Sequence, residues 1–535
     1  FSLSPKFTSL RQPRPQRMRD AQTSRYLHTY LLAWFSMAGA SKVYVGIDAG
    51  TQGLKALVYD AAAKKVLSRA SRSYSLEPNA ADAPIGRAEQ RPSVWVDAMW
   101  SATNEALDGA SAAAGTDVRA VVSGIGVSGQ QHGLVALDEG FNVLRPAKLW
   151  CDTESAPEAE ALSAMYGRTM VASFTATKLL WLKNHEPETF ARMAHVALPH
   201  DYLNYVLTGS LVMEGGDASG TGLLEPDARV WDAGAVGAID QGLLSKLPPL
   251  IAPTENAGAL QADPARRLSL PAGIVVSAGG GDNMMSALGC GCATIGRVAI
   301  SLGTSGTIFA KTERAARDSS GTVCPFLDAT GGGLPLVCTL NCAAAPEEVR
   351  TGYGLSRAEI GALAEAEPIG CEGITMLPYL AGERTPNWPD ASGVIHGLRP
   401  GHLARPGLLY RAALEGATFS LRAGIEAMKQ HGLPERLDEV RLVGGGSKSA
   451  LWRQILADAL QVRVACPCEA ESAALGAALQ SAALDAAADD IGAWILTNHD
   501  PLVGDVVEPE PAVACQYDEA FARYQTLGTT LFGSS

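Results

Sequence analysis

Eighteen consecutive apolar residues occur nowhere in this 535-residue chain, so no segment reads as a membrane-spanning helix. Basic charge is also scarce. Lys and Arg number 43 against 56 Asp and Glu, giving a net charge of −13. No domain-wide basic face follows from that balance, and nucleic acid is not expected as a partner. The ten cysteines lack metal spacing: Cys290 and Cys292 form CGC, Cys466 and Cys468 form CPC, and no His pair accompanies either. They read as free thiols in a reducing compartment. With 47% hydrophobic and 19% charged residues, the rest is an ordinary globular composition.

Acids are nearly missing from the first 36 residues, which hold Lys6, Arg11, Arg14, Arg17, Arg19 and Arg25 against Asp20 alone. Residues 1–40 therefore read as an N-terminal extension, disordered or transit-like. A cytoplasmic protein is expected, or one in a plastid or other organelle if the extension is a transit peptide. The remaining length suits two large domains. Their expected bounds are 41–281 and 282–535, with the larger apolar runs alternating between strand and helix in an α/β pattern.

What is present in quantity is glycine, 56 residues, and it clusters. IDAGTQG (Asp48 to Gly53) and ISLGTSG (Ser301 to Gly306) are similar turns, each leaving an apolar strand. Small-residue turns bring backbone N–H groups close to an anion. Two of them, one in each half of the chain, suggest a clamp on a polyphosphate formed by Gly50, Thr51, Gly303 and Thr304. Asp48, a carboxylate at a strand end, can hold hydrated Mg²⁺ between phosphates. A third knot, GGGDN, ends in Asp282 and Asn283. A lone carboxylate there suits a general base, and the neighbouring amide suits a second hydroxyl; the alternative is a helix N-cap before Met284. The loop SGQQHG places Gln130, Gln131 and His132 after an apolar strand, a pattern suited to polyol recognition. Trp150 and Asp152 could add a stacking face and an acceptor. VGGGSKS follows a strand and precedes a helix without GxGxxG or P-loop spacing; Gly445, Gly446 and Ser449 read as a rest for an adenosine. Arg384 in ERTP is equally well a cleft residue or half of an ion pair. Together these loops point to ATP-dependent phosphoryl transfer to a small alcohol.

Local signals give hairpins at Val43–Asp60 and Val298–Lys311, a helix from Ser93 to about Ala114 capped by Ser93, and a polar turn at Asp217–Thr221. Residues 226–273 look irregular. A long helix at Ala404–Gln430 closes on Gly432, Ser447 reads as the cap of the helix Leu451–Leu460, and Glu471–Leu484 is a small-residue helix suited to close packing. The repeated hairpin is a duplication signal at the level of fold. Residues after about 485 show little periodicity.

The motifs GIDAGTQGLKALVYD, GVSGQQHG, FTATKLLWLKNHEPETF, AGGGDN, SLGTSGTIFA, LPYLAGERTPN and LVGGGSKSALWRQILAD resemble, as a set, the FGGY carbohydrate kinases over about residues 43–480. The resemblance implies two ribonuclease-H-like domains of the actin-like ATPase fold flanking a catalytic cleft. It implies Asp282 as base, Asp48 assisting Mg–ATP, Gln131, His132, Asp282 and Asn283 against the sugar, and Gly445, Gly446 and Ser449 along the nucleotide. FTATKLLW, SGQQHG and AGGGDN favour members acting on D-xylulose over those acting on glycerol. The implied reaction is transfer of phosphate from ATP to D-xylulose, feeding the pentose phosphate pathway. Another ketose such as ribulose, a catalytically silent sugar-binding member, or an actin-like chaperone ATPase are the competing readings. A homodimer is compatible with the sequence. One departure stands out: NCAAAPEEVRTGYG is Ala-rich where such kinases often carry a Trp near the nucleotide, which leaves open what packs on adenine.

Overall fold

A computed structural model describes residues 42–79 and 84–533; the expected extension at 1–40 lies outside the described residues. The first half is built on β1 (Val43–Ala49), β2 (Gly53–Asp60) and β3 (Lys65–Ser73), helix α1 (Pro92–Ala114), then β4 (Val122–Gly129), β5 (Asn256–Ala259) and β6 (Val275–Ser277). Every residue of β1 is buried, as expected for a strand covered on both faces. β1, β2 and β3 pair antiparallel, β4 lies parallel to β1 and β6 parallel to β4. Helix α2 (Asp282–Gly289) follows. The second half has β7 (Arg297–Leu302), β8 (Gly306–Ala310), β9 (Cys324–Leu327), β10 (Gly333–Thr339), α3 (Ala344–Gly352), α4 (Arg357–Glu365), α5 (Pro406–Lys429), β11 (Glu439–Val443), α6 (Ala450–Leu460), β12 (Val464–Pro467), α7 (Ser472–Asp485), β13 (Val503–Val507) and α8 (Ala514–Phe532). β7 pairs antiparallel with β8 and β8 with β10; β11 lies parallel to β7 and β12 parallel to β11. The two sheets repeat one plan, an antiparallel meander extended by two parallel strands, and the duplication read from the twin hairpins is real.

Helix α7 comes from the second half of the chain yet lies on the first sheet. Four glycines permit it. A Cβ at Gly46 would fall 1.9 Å from the Ala474 carbonyl oxygen and one at Gly126 2.0 Å from that of Ala477. At the crossing with α2, a Cβ on Gly476 would fall 1.8 Å from the Met285 oxygen, and one on Gly289 1.8 Å from the Ser472 oxygen. Real Cβ atoms do not tolerate such distances, so the backbones approach only because these positions are bare. The small-residue composition of α7 serves this packing, as its sequence suggests.

Several local expectations shift. Helix α1 opens at Pro92 with Arg91 as N-cap, so Ser93 sits inside the first turn rather than capping it; proline is well suited to that first position. Ser449, not Ser447, caps α6 by accepting from the Trp452 N–H. Of the DASGT stretch, Asp217–Ser219 end a short helix, Gly215–Ser219, capped by Glu214, and only Gly220 and Thr221 form a turn. Residues 226–273 contain helices at Ala233–Ile239 and Ala262–Leu268. The chain after 485 is not irregular either: Tyr517, Phe521 and Tyr524 of α8 enter the second core, at a spacing of four and three residues that marks an apolar helical stripe.

Candidate active site

The β1–β2 turn sets the first group of residues. Asp48, the penultimate residue of β1, is nearly fully buried and accepts a hydrogen bond at 2.9 Å from Ser128 Oγ on β4. Its partner in register on β2 is Lys55, whose Nζ lies 3.7 Å from Asp48 and 3.2 Å from Glu471, the N-cap residue of α7. Burial pushes the Asp48 carboxyl up, and the Lys55 charge and Ser128 oppose it. The Thr51 hydroxyl donates to Gln130 Oε1 at 3.1 Å and accepts from Trp150 Nε1 at 2.9 Å. Its one proton is thus committed, and what this loop can offer an anion is main-chain N–H. Trp150 is held edge-on by that bond and is 46% exposed, available as a flat face. Asp152 does not face a ligand: with Glu89 and Glu154 it surrounds buried Lys148 Nζ at 3.1, 3.1 and 2.5 Å. That carboxylate triad has metal-like spacing, but the lysine ammonium stands at its centre.

The GGGDN knot carries Asp282 to the first position of α2, with Gly281 as the N-cap. Asp282 is not the cap itself. Its Oδ1 accepts from the Asn283 backbone N–H at 2.8 Å and from Asn283 Nδ2 at 3.0 Å. Asn283 Nδ2 also donates to Gln131 Oε1 at 2.7 Å, so the two loops are joined by one amide. Both Asp282 and Asn283 are half-buried. The surroundings shield the acid enough to push its carboxyl up to about 7: burial first, then the charges of Asp48 and Asp217. Asp217 lies in a fully buried group with His200, whose Nδ1 is 2.7 Å away, and Asp201, 3.1 Å from His200 Nε2. Neither Lys55 nor this group was anticipated from the sequence. Folding the hairpin on paper places Lys55 opposite Asp48, whereas the His200 group needs the fold.

His132 has a left-handed backbone (φ 66°) and packs edge-on against Phe174 and Phe326 at 5.7 and 5.3 Å between ring centroids. Both its ring nitrogens and Gln131 Nε2 are buried with no hydrogen-bond partner. Buried polar atoms of this kind cost stability unless something pairs them. Burial, aided by the Lys178 and Arg384 charges, brings the His132 imidazole down to about 3, so it is neutral at ordinary pH.

A separate cavity of about 720 Å³ opens in the second half, lined among others by Leu302, Gly303, Thr304, Gly445, Gly446 and Ser449 and by Ala343, Ala344, Pro346 and Gly361. It gathers the second GT turn with the GGGSKS loop. Gly50 and Thr51 are not in its walls and stay with Asp48. The Ala-rich stretch adjoins the second GT turn, the Ala343 N–H donating to the Gly303 carbonyl at 3.0 Å, and brings small, apolar residues into the wall. Gly446 is close enough to Leu302 and Trp452 (2.7 and 2.8 Å from a built Cβ) that a side chain would fill the floor.

Comparisons with known proteins agree with this architecture. Family models of the FGGY carbohydrate kinases match residues 43–289 (N-terminal domain) and 298–484 (C-terminal domain). The xylulose kinase of Haemophilus influenzae is 39% identical over 82% of this chain and 90% of its own length. That of Escherichia coli is 35% identical over 78% and 84%. A crystal structure of a xyloylose kinase from Brucella ovis superposes with a TM-score of 0.82 at 34% identity, covering 91% of this chain and 99% of the other. The fold is the two-domain, actin-like ATPase fold of FGGY sugar kinases, and the chain belongs to the FGGY family of carbohydrate kinases.

Proposed function

We propose that this carbohydrate kinase transfers the γ-phosphate of ATP to D-xylulose, giving ADP and D-xylulose 5-phosphate and so feeding the pentose phosphate pathway. The observation that carries the site assignment is Asp282: a half-buried carboxylate at the start of α2, raised to about 7 and tied through Asn283 to the Gln131–His132 loop. Support for the substrate comes from the xylulose kinases that match most of the chain.

In this reading Asp282 accepts the proton of the terminal sugar hydroxyl as the phosphorus–oxygen bond forms. Orientation matters more than basicity for such a transfer. Asn283, Gln131 and neutral His132 take neighbouring hydroxyls, which would pair the buried atoms now without partners. Gly303, Thr304, Gly445, Gly446 and Ser449 hold the nucleotide, and Gly50 and Thr51 meet its far phosphates when the halves close. Closure excludes water and limits ATP hydrolysis. Asp48 fits Mg²⁺, being a hard oxygen donor with a cationic neighbour no closer than 3.7 Å. When bound, the metal supplies charge neutralisation at the phosphates.

A coupled ADP-release assay with D-xylulose, D-ribulose, L-xylulose and glycerol tests the proposal. The highest kcat/KM should fall to D-xylulose. A preference for D-ribulose would transfer the assignment to that ketose, and no turnover with any sugar would favour a silent sugar-binding member.

A further inference from the structure

Apart from the nucleotide loops and behind His132, whose ring packs on Phe174, a second cavity of about 320 Å³ opens between first-half residues (Arg168, Phe174, Glu225) and second-half residues (Arg317, Cys324, Arg384). Three guanidinium groups line it, and its acids are already engaged. Asp318, also in the wall, accepts from the Ser320 and Val323 N–H groups at 2.8 Å each and from Ser320 Oγ. Arg317 pairs with Asp227 and lies 3.7 Å from Glu225. Arg168 and Arg384 have no carboxylate within ion-pair distance among the described residues. Arg168 donates to the Gly222 carbonyl at 2.7 Å and lies over the Tyr166 ring, and its Nε is buried with no partner. Arg384 is half-buried, and its side chain's hydrogen-bond partner is the Cys324 thiol at 3.3 Å. Its neighbour Glu383 does not neutralise it: that carboxylate accepts from the Leu340, Arg384 and Thr385 N–H groups and from Asn341 Nδ2. Of the two sequence readings of Arg384, the ion pair is thus removed.

Shielded guanidinium groups without counter-ions are costly unless an anion is supplied from outside. Their planar donors match the oxygens of phosphate. We propose that this cavity is a binding site for a phosphate monoester, with Arg168 and Arg384 gripping the phosphate from opposite halves of the chain. The cavity has room for a phosphate and a pentose-sized body, and a ligand there would join the two halves on the Phe174 side of His132. The inference does not rest on the identity of the phosphorylated sugar.

The test is calorimetric titration of the full chain at constant ionic strength with saturating Mg–ADP, which occupies the nucleotide loops. The titrants are inorganic phosphate, ribose 5-phosphate and ribose. Ribose 5-phosphate should bind, inorganic phosphate more weakly, and ribose not at all. Arg168→Gln and Arg384→Gln should each weaken ribose 5-phosphate binding at least tenfold while the affinity for ADP, measured separately, is kept, which also reports folding. Equal binding of ribose, or unchanged ribose 5-phosphate affinity in both variants, would overturn the site. Binding of inorganic phosphate as tight as that of ribose 5-phosphate would leave a free-phosphate site and remove the sugar body from the proposal.

Discussion

In its proposed role, Asp282 can act as a base only when ionised. With its carboxyl raised to about 7, kcat/KM for the sugar should fall about tenfold per pH unit below that value, the acidic limb of a pH–rate profile. Asp282→Asn should lower kcat by on the order of 10³-fold or more while ATP affinity is largely kept; near-normal turnover would remove the assignment. The same shift has a stability consequence. A carboxyl whose folded pKa lies above its unfolded one binds its proton more tightly when folded, so its contribution declines as pH rises from about 4 to about 7. The melting-temperature advantage of Asp282→Asn should therefore grow across that window, and a constant difference would contradict the shift. His132, held near 3, adds no titration to the profile at neutral pH. His132→Ala should raise KM for the sugar more than for ATP, and equal changes would make the loop mere scaffold. These residues were legible as types in a pattern. The neutrality of His132 and the engagement of Thr51 were not, because both depend on neighbours (Phe174, Phe326, Trp150) distant in the chain.

At the scale of elements, the α2–α7 crossing links the proposed base to the body of the molecule. Gly476→Ala places a methyl against the Met285 oxygen, and overpacking of this kind costs about 1–3 kcal/mol or more. Because Asp282 opens α2, a loss of kcat should accompany the loss of stability measured by denaturant unfolding. Gly361→Ala, inside α4, meets nothing within 4 Å and should stabilise by about 0.5–1 kcal/mol through helix propensity. An unfolding midpoint unchanged in the first variant, or lowered in the second, would contradict the packing described. Hairpins and long helices were readable because strand and helix periodicities are local. Helix caps were misread by a few residues: Pro92 moves one helix start, Ser449 competes with Ser447, and Gly281 takes the place expected of Asp282. The helix at Gly215–Ser219 was missed because Gly, Asp and Ser favour turns, whereas the Glu214 cap and the bonds of Asp217 to His200 and of Ser219 to Leu327 hold it in place.

At the scale of the whole molecule, the cavity proposed for the nucleotide and the loops proposed for the sugar belong to different halves, so the proposed transfer requires closure to bring them together. ADP at 100 times its Kd should raise the unfolding free energy by about 2.7 kcal/mol. Gly446→Leu, filling the space beside Leu302 and Trp452, should abolish that gain and leave sugar binding intact by calorimetry. Retained ADP stabilisation would place the nucleotide elsewhere.

The chain's order of residues determined the duplicated α/β plan, the two glycine–threonine turns and the carboxylates at strand ends, because each rests on contacts among near neighbours. Only the tertiary structure decided that α7 crosses to the first sheet, that Asp152 surrounds Lys148 rather than a ligand, that the Ala-rich stretch and the GGGSKS loop line one cavity, and that Arg384 lacks a carboxylate among the described residues. The reason is physical: burial, and the charge and hydrogen-bond environment it creates, is a sum over groups hundreds of residues apart, which no local period encodes.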